Sequence, residues 1–394
     1  MVRAFRFRFY PTPEQEALLR RTIGCVRLVY NKALHARSEA WTSAKKSIGY
    51  ASQDRQLTAW KATEDLAFLR EVSSVPPQQA LRHLQTAYTN FFAKRAAYPS
   101  FKRKHKGGSA SFTRSAFSFD GASLRLAKMS APLDVRWSRP LPKNTDPSSV
   151  TVSLDASGRW HVSILCDDRS IKPMPRLKTA VGIDLGISAL ATLSTGEKIH
   201  NPRHDQKLAG RKRLLSRSLS RKVKGSNNRN KARQKLARLH ARVADRRRDH
   251  LQKLSTRLVR ENQVIVVEDL NVAGMVKNHC LARVISDAAW RMLLSFLSYK
   301  CEWYGRDLIK VDRFFPSSKT CSACGVVVDK LPLDVRRWTC SSCGAEHDRD
   351  VNAAHNILAA GHAVTRKGEA CGSGVSHRLL RQAVRSELKQ EPSP

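Results

Sequence analysis

Four cysteines constrain this chain more than any other feature: Cys321-x-x-Cys324, then fifteen residues, then Cys340-x-x-Cys343. Each Cys-x-x-Cys turn brings two thiolates to one side of a loop, and two such turns close the tetrahedral shell of one structural zinc ion. The residues between the knuckles are expected to form a short hairpin that carries the second knuckle to the first. Gly325 and Gly344 each follow a knuckle, where the turn needs a positive φ. The competing readings are a pair of redox dithiols or chance spacing, and the spacing favours zinc. The other five cysteines, Cys25, Cys166, Cys280, Cys301 and Cys371, are scattered. They read as buried small hydrophobes or free thiols and fit a reducing compartment.

Charge comes next. The chain carries 71 Lys and Arg against 33 Asp and Glu, a formal net charge of +38 over 394 residues. A hydrophobic content of 41% is enough for real cores, so this is not a disordered basic tail. Its length predicts two to four domains at about 150 residues each. An excess of cations this large needs a polyanion, and nucleic acid is the default, because phosphate neutralisation releases counterions. Ribosome-like RNA binding and adhesion to anionic membranes are the alternatives. No lipidation motif, no apolar run of about 18 residues and no apolar leader in Met1–Tyr10 supports a membrane partner or export. The expected location is the cytoplasm, in association with the nucleoid.

Residues 3–10 alternate with period two and stop at Pro11, which reads as a half-buried strand. Thr12-Pro13-Glu14 then opens a helix with a cap, a proline at the first turn and an acid behind it. Helical patterning continues to about residue 105 and ends in the basic exit containing Lys102, Arg103 and Lys104. Short strand-like runs return over 110–165, including Val150–Leu154 and Trp160–Leu165. A β module thus holds a helical insert, and the proline-bearing segment 167–178 links it to a second domain. That domain opens with strands ending at Asp184 and continuing through Ala189–Leu193. Residues 207–260 hold 20 Lys and Arg against Asp245 and Asp249 alone. Leu236, Leu239, Val243, Leu251, Leu254 and Leu258 recur there at helical spacing, broken by Gly225-Ser-Asn-Asn228. This predicts a helical hairpin with one packed stripe and a cationic remainder that includes Arg211, Lys212, Arg213, Arg221, Lys222 and Lys224. A solvated face would mix signs; this one does not, which favours a phosphate-facing surface. A strand ending at Glu268, a helix around 286–305, a strand over Leu308–Phe314, the metal module over 315–347 and a helix over 348–360 follow. The tail 361–394 is polar and basic and is expected to be poorly ordered.

Three acids stand out because each ends or begins an element that should be buried. Asp184 and Glu268 close apolar strands, and Asp350 opens a helix on the line of Ala354 and Ile357. Asp348 is off that line and reads as a helix cap, and Asp269 points to the opposite strand face from Glu268. Converging carboxylates raise each other's pKa, and a pair of divalent cations resolves the conflict. In a strongly basic α/β chain this pattern points to phosphodiester hydrolysis by two Mg²⁺. Taken singly, each acid reads better as a turn cap, a strand end or a first-turn helix acid; it is the three together that point to a metal centre.

These residues resemble a known family. Val181-Gly-Ile-Asp184-Leu-Gly-Ile, Val267-Glu268-Asp-Leu-Asn, and the run from Phe315-Pro-Ser-Ser-Lys-Thr-Cys321 through Trp338-Thr-Cys340 to Asp350-Val-Asn-Ala-Ala-His-Asn are similar to TnpB, the RNA-guided nucleases of bacterial insertion sequences related to type V CRISPR effectors. Phe7-Arg-Phe-Tyr-Pro-Thr-Pro-Glu-Gln and Val29-Tyr-Asn-Lys-Ala-Leu resemble the family's opening. The resemblance covers residues 1 to about 360, and its last block is the most specific. It implies an α/β multidomain fold: an RNase H-like (RuvC) nuclease domain over 179–314 and 348–360 with an inserted zinc ribbon over 315–347. It also implies an N-terminal β-barrel wedge domain over 1–11 and 106–166, interrupted by a helical recognition insert over 12–105.

The implied function is cleavage of double-stranded target DNA beside a short flanking motif. The implied cofactors are two Mg²⁺ (or Mn²⁺), one structural Zn²⁺ and a guide RNA derived from the transposon end, in a protein favoured to be a monomer. The family's catalytic acids fall on Asp184, Glu268 and Asp350. By loose alignment Tyr50, Gln78 and Thr113 match positions that contact the flanking motif, although Val75-Pro-Pro-Gln-Gln carries two prolines there and the motif itself does not transfer. Guide pairing reads sequence while such a protein reads A-form shape.

Three other classes compete. An actin-like or sugar-kinase ATPase also reads Gly-Ile-Asp-Leu-Gly, but this chain has no second Asp-x-Gly-x-Gly loop and would leave the charge and the cysteines without a role. A nuclease-inactive RNA-guided regulator would share the scaffold; the intact acids oppose it. A strand-transfer transposase would use the same acids and metal.

Overall fold

The computed structural model describes residues 1–104, 107–142, 146–332 and 334–370, the last seven of these as backbone alone. The chain divides into two compact units, Met1–Ser170 with Arg233–Arg238, and Ile171–Ala232 with Leu239 onward.

The first unit begins with β1 (Val2–Tyr10). Its period-two pattern sends Phe5, Phe7 and Phe9 into the core and Arg6 and Arg8 to the other face. Helices α1 (Pro13–Ala44), α2 (Tyr50–Ala62) and α3 (Val75–Phe92) follow. Thr12 caps α1: its hydroxyl accepts from the Gln15 N–H while the Gln15 side chain accepts from the Thr12 N–H. Arg37 is buried on α1 and donates to Gln53 of α2 (2.8 Å) and Gln85 of α3 (2.7 Å), so one guanidinium ties the three helices. The chain then forms β2 (Gly108–Thr113), β3 (Phe117–Phe119), β4 (Leu124–Leu126), β5 (Asp134–Arg136), β6 (Ser149–Leu154) and β7 (Trp160–Asp167). Five strands make an antiparallel sheet in the order β2-β6-β7-β1-β5, and β3 and β4 pair separately. The phenylalanines of β1 pack with Leu19, Leu34, Leu81 and Leu84, all 1% exposed or less, each worth about 1.5–3 kcal/mol of burial.

The second unit opens with β8 (Ala180–Asp184), β9 (Ala189–Leu193) and β10 (Lys198–His200). Next come α4 (His204–Lys207), α5 (Ala209–Ser220) and α6 (Asn227–Glu261), the last two forming the hairpin that the Gly225 break predicts. β11 (Val264–Glu268), α7 (Val272–Met275), α8 (Ala282–Ala288), α9 (Trp290–Tyr304) and β12 (Asp307–Val311) follow, then β13 (Arg337–Thr339), β14 (Glu346–Asp348) and α10 (Arg349–Ala370). The sheet order is β10-β9-β8-β11-β12. β8, β11 and β12 run parallel, and β9 and β10 are antiparallel additions. Parallel strands must be covered on both faces. Ile265 and Val267 of β11 face a core with Leu251, Leu254 and Leu258 of α6 and Trp290, Leu293 and Leu297 of α9. Val266, between them, faces Ile357 of α10.

α10 lies very close to the sheet. A Cβ on Gly182 would sit 2.1 Å from the Ala354 carbonyl oxygen, and one on Gly361 would sit 2.5 Å from a Val266 methyl. Gly361 therefore marks close helix–sheet packing rather than a helix end, and α10 runs to Ala370 instead of stopping at 360. Two further expectations are corrected. The single helix over 286–305 is two helices, because Ala289 adopts φ 54 and breaks the ladder between α8 and α9. The strand over 308–314 ends at Val311, where the Asp312 carboxylate accepts from the Phe314 N–H and turns the chain. Among the described residues no helix is long and apolar enough to cross a membrane. Cys371 and the tail from 371 lie outside the described residues.

Candidate active site

Strand register places two of the three acids. β11 lies beside β8 in parallel, with Val267 opposite Ile183, so Glu268 and Asp184 emerge together at the carboxyl ends of neighbouring strands. That edge is where open parallel sheets bind ligands. The third acid arrives on α10. Ala354 touches the sheet at Gly182, and Asp350 lies one helical turn back. Burial first, then the charges of Glu268 and Asp350, push the Asp184 carboxyl up to about 7, against the pull of Arg349 and Arg336. The structure thus brings Asp184, Glu268 and Asp350 into one electrostatic cluster.

Around the acids, Ser317 and Arg336 were not legible in the sequence, whereas Asp348 and Asp269 take the positions read from it. Ser317, buried in the loop after β12, donates its hydroxyl to Glu268 Oε1. Arg336 faces Asp350 at 3.4 Å. Asp348 accepts from the Asp350 and Val351 N–H groups, so it caps α10, and it also holds Lys198 at 2.7 Å. Asp269 points away from Glu268 and pairs with Arg313 at 2.8 Å. On α10, Asn352 accepts from the Ser322 N–H and donates to the Thr320 carbonyl, and Asn356 donates to the Ser317 and Thr320 carbonyls. The helix that carries Asp350 therefore grips the loop that carries Ser317 and the first cysteine knuckle.

The four cysteines form a second cluster, with all ligand atoms within 4.8 Å of one another. Cys321 and Cys343, and Cys324 and Cys340, have sulfur separations of 3.7 Å. A tetrahedral zinc with Zn–S of about 2.3 Å has S···S edges of about 3.8 Å, so the donors fit that ion. Gly325 and Gly344 have φ of 81° and 71°, as the knuckle turns require. The hairpin is not between the knuckles. β13 and β14 flank the second knuckle, and the Thr320–Val327 bridge closes the first. A Cys-x-x-Cys turn needs its own two flanking strands, which the spacing alone does not display. His347 Nε2 lies 3.0 Å from Cys321 Sγ, an outer contact of the kind that orients a metal ligand. Cys25, Cys166 and Cys301 are buried and Cys280 is exposed.

The basic candidates are less uniform than their sequence. Arg211, Arg213, Arg221, Lys222 and Lys224 are exposed on α5 and the turn after it. Lys212 is engaged by the buried Asp205 at 2.8 Å. Arg103 and Lys104 are exposed, but the Lys102 ammonium sits 4.2 Å from the Tyr30 ring centre and its backbone is pinned by Asn31. Tyr50 is half-buried, with its hydroxyl accepting from Arg82 of α3, and Gln78 lies one turn before Arg82. Thr113 ends β2 opposite Ser149.

Comparison with known proteins completes the description. A relative from Streptomyces pristinaespiralis, named "Putative RNA-guided DNA endonuclease", is 60% identical over 99% of this chain and 96% of its own length. The chain belongs to the TnpB family. A second TnpB relative, "Putative RNA-guided DNA endonuclease InsQ" of Escherichia coli K12, is 34% identical over 100% of this chain and 98% of its own. Family models match as "Probable transposase" over 162–279 and "Cas12f1-like, TNB domain" over 290–357. A third, "Helix-turn-helix domain", matches residues 1–46, which here form β1 and the single long helix α1. The fold is shared with the solved Cas12f1–sgRNA–target DNA complex: TM-score 0.58 and 13% identity, covering 91% of this chain and 98% of that one. This TnpB protein thus has an α/β fold like that of Cas12f1.

Proposed function

We propose that this protein is an RNA-guided DNA endonuclease that hydrolyses a target phosphodiester at Asp184, Glu268 and Asp350. The observation that carries the reading is the electrostatic convergence of these acids at the carboxyl edge of a parallel sheet, in a chain with a 60% identical relative of that name. A carboxyl raised to about 7, first by burial and then by two other acids, belongs to a donor set short of positive charge, which divalent cations would supply. Two Mg²⁺ (or Mn²⁺), when bound, supply Lewis acidity at the phosphoryl oxygen and an activated water. The chain's own residues do the rest. Asp184, Glu268 and Asp350 provide the oxygen ligands, the Ser317 hydroxyl fixes the rotamer of Glu268, and Arg336 offsets Asp350 at the rim.

On this reading the second unit is an RNase H-like (RuvC) domain, supported by its sheet of two antiparallel and three parallel strands, and the cysteine module is its zinc ribbon. The antiparallel sheet of the first unit is the wedge barrel, and α1–α3 are the recognition insert. Tyr50, Gln78 and Thr113 face the flanking DNA motif. The exposed cations of α5 neutralise a guide RNA transcribed from the transposon end, in a monomeric particle at the nucleoid.

The test is to purify the protein from cells, sequence its bound RNA, and offer a duplex complementary to the guide portion beside randomised flanks. Cleavage that requires Mg²⁺ and is lost in Asp184→Ala, with duplex binding retained, is the expected result. Heterogeneous RNA, or cleavage that survives Asp184→Ala, refutes it.

A further inference from the structure

The end of α3 carries a cluster of aromatic rings that nothing described so far uses. Phe92, in the last turn, is 75% exposed and Tyr98 is 49% exposed. Large apolar rings do not stay this exposed without a use unless they are isolated, and these are not. Phe92 stacks on the buried Tyr88, with ring centres 6.2 Å apart and planes 24° apart, so its far face is open. Phe91 lies 5.3 Å from Phe92. Tyr98 stands edge-on to both Tyr88 and Phe91, at 88° and 87°.

The cluster is held in place by more than apolar contact. The Tyr98 hydroxyl shares hydrogen bonds of 2.9 Å with Tyr88 and with Ser38 of α1. Lys94 adopts φ 56, which ends the helix directly after Phe92 and turns the chain back toward Tyr98. The shelf is therefore built before anything binds, which lowers the entropy cost of using it.

Its surroundings select the occupant. From Val72 to Phe119 the chain has no Asp or Glu, while Arg82, Lys94, Arg95, Lys102, Arg103 and Lys104 fall within that stretch. A second copy of this surface would meet like charge. An open aromatic face on a segment that is cationic and has no acid of its own matches bases unstacked from a phosphodiester backbone; the acid that α1 brings beside the Ser38 contact is Glu39, which pairs with His35.

We infer that Phe92, backed by Tyr88, Phe91 and Tyr98, is a stacking platform for the unpaired bases of a single-stranded nucleic acid, with Lys94 and Arg95 at its margin for the backbone. The platform belongs to the first unit and the acid cluster to the second, and its test does not depend on cleavage.

The test uses the full chain in magnesium-free buffer, fluorescein-labelled 20-nucleotide oligothymidylate, and a duplex of the same length, read by anisotropy. Phe92→Ala should weaken oligothymidylate binding about tenfold and leave the duplex unchanged, with the same salt dependence. Phe92→Leu should stay weak, because bulk without a π face does not stack. Phe92→Trp should bind like the parent and lose more tryptophan fluorescence on adding oligothymidylate than the parent, which has seven tryptophans of its own; that variant keeps the ring, so the difference reads the site even if Phe92→Ala perturbs folding. Equal binding by Phe92→Ala, an equal loss on the duplex, or full rescue by Phe92→Leu would overturn the inference. So would a Phe92→Trp variant quenched no more than the parent, or self-association of the parent that Phe92→Ala abolishes.

Discussion

Asp184→Asn tests the electrostatics of the acid cluster without reference to cleavage. The substitution keeps the shape of the side chain and removes its charge. In the folded protein the carboxyl holds its proton to about 7, against 3.8 for an unperturbed aspartate. That rise corresponds to about 4 kcal/mol of differential stabilisation between the protonated and ionised forms. The sign follows from proton counts. Between pH 4 and pH 7 the unfolded chain has released this proton and the folded chain has not, so ionisation favours unfolding and stability falls as pH rises. Below about pH 4 both states are protonated, and above about pH 7 both are ionised. The Asn variant lacks this dependence. In magnesium-free buffer it should match the parent near pH 4, gain progressively to pH 7, and then stay ahead by about 4 kcal/mol. Urea unfolding of parent and variant across that pH range measures the gap. Added Mg²⁺ should stabilise the parent and not the variant, closing the gap from the other side. A gap independent of pH, or a variant less stable than the parent at pH 8, would refute the account of Asp184.

Three further outcomes follow from the same geometry. Ser317→Ala removes the hydroxyl that orients Glu268 and should lower Mg²⁺ affinity or cleavage by about 10–100-fold with little change in melting temperature; a cleavage assay titrated with Mg²⁺ separates the two. Gly182→Ala forces a methyl against the Ala354 carbonyl and should cost about 1–3 kcal/mol while displacing Asp350, so thermal stability and cleavage fall together. Cys321→Ser with Cys324→Ser should remove one zinc per chain by native mass spectrometry, and, through Asn352 and Asn356, should also reduce cleavage; unchanged zinc content would refute the ribbon.

Local chemistry made much of this architecture readable in advance. The alternation in β1, the Thr12 cap, the break at Gly225 and the two knuckle glycines each state their conformation within a few residues. The three acids were legible because strand ends and a helix start are local features, and the register of β11 on β8 then brings two of them together. What was not legible depends on contacts distant in sequence. Gly361 reads as a stop signal until Val266 is seen against it. Ser317 is an ordinary loop serine until Glu268, 49 residues earlier, is placed beside it. Lys212 belongs to a basic run, yet the buried Asp205 engages it. Ala289 adopts φ 54 with a side chain that gives no sign of a helix break, so the boundary between α8 and α9 carries no local signal.

The spacing of the three acids has a consequence for the order of events during synthesis. Asp184, Glu268 and Asp350 come from β8, β11 and α10, and α6 with its cations lies between the first two in the chain. At about 5–20 residues per second, a ribosome needs on the order of 8–30 s to travel from the first acid to the last. From the end of α6 until α10 emerges, the nascent chain carries the proposed polyanion-binding helices and lacks the third of the proposed catalytic acids. On the proposed assignment, a message interrupted in that window would yield a product that can occupy nucleic acid and cannot cut it.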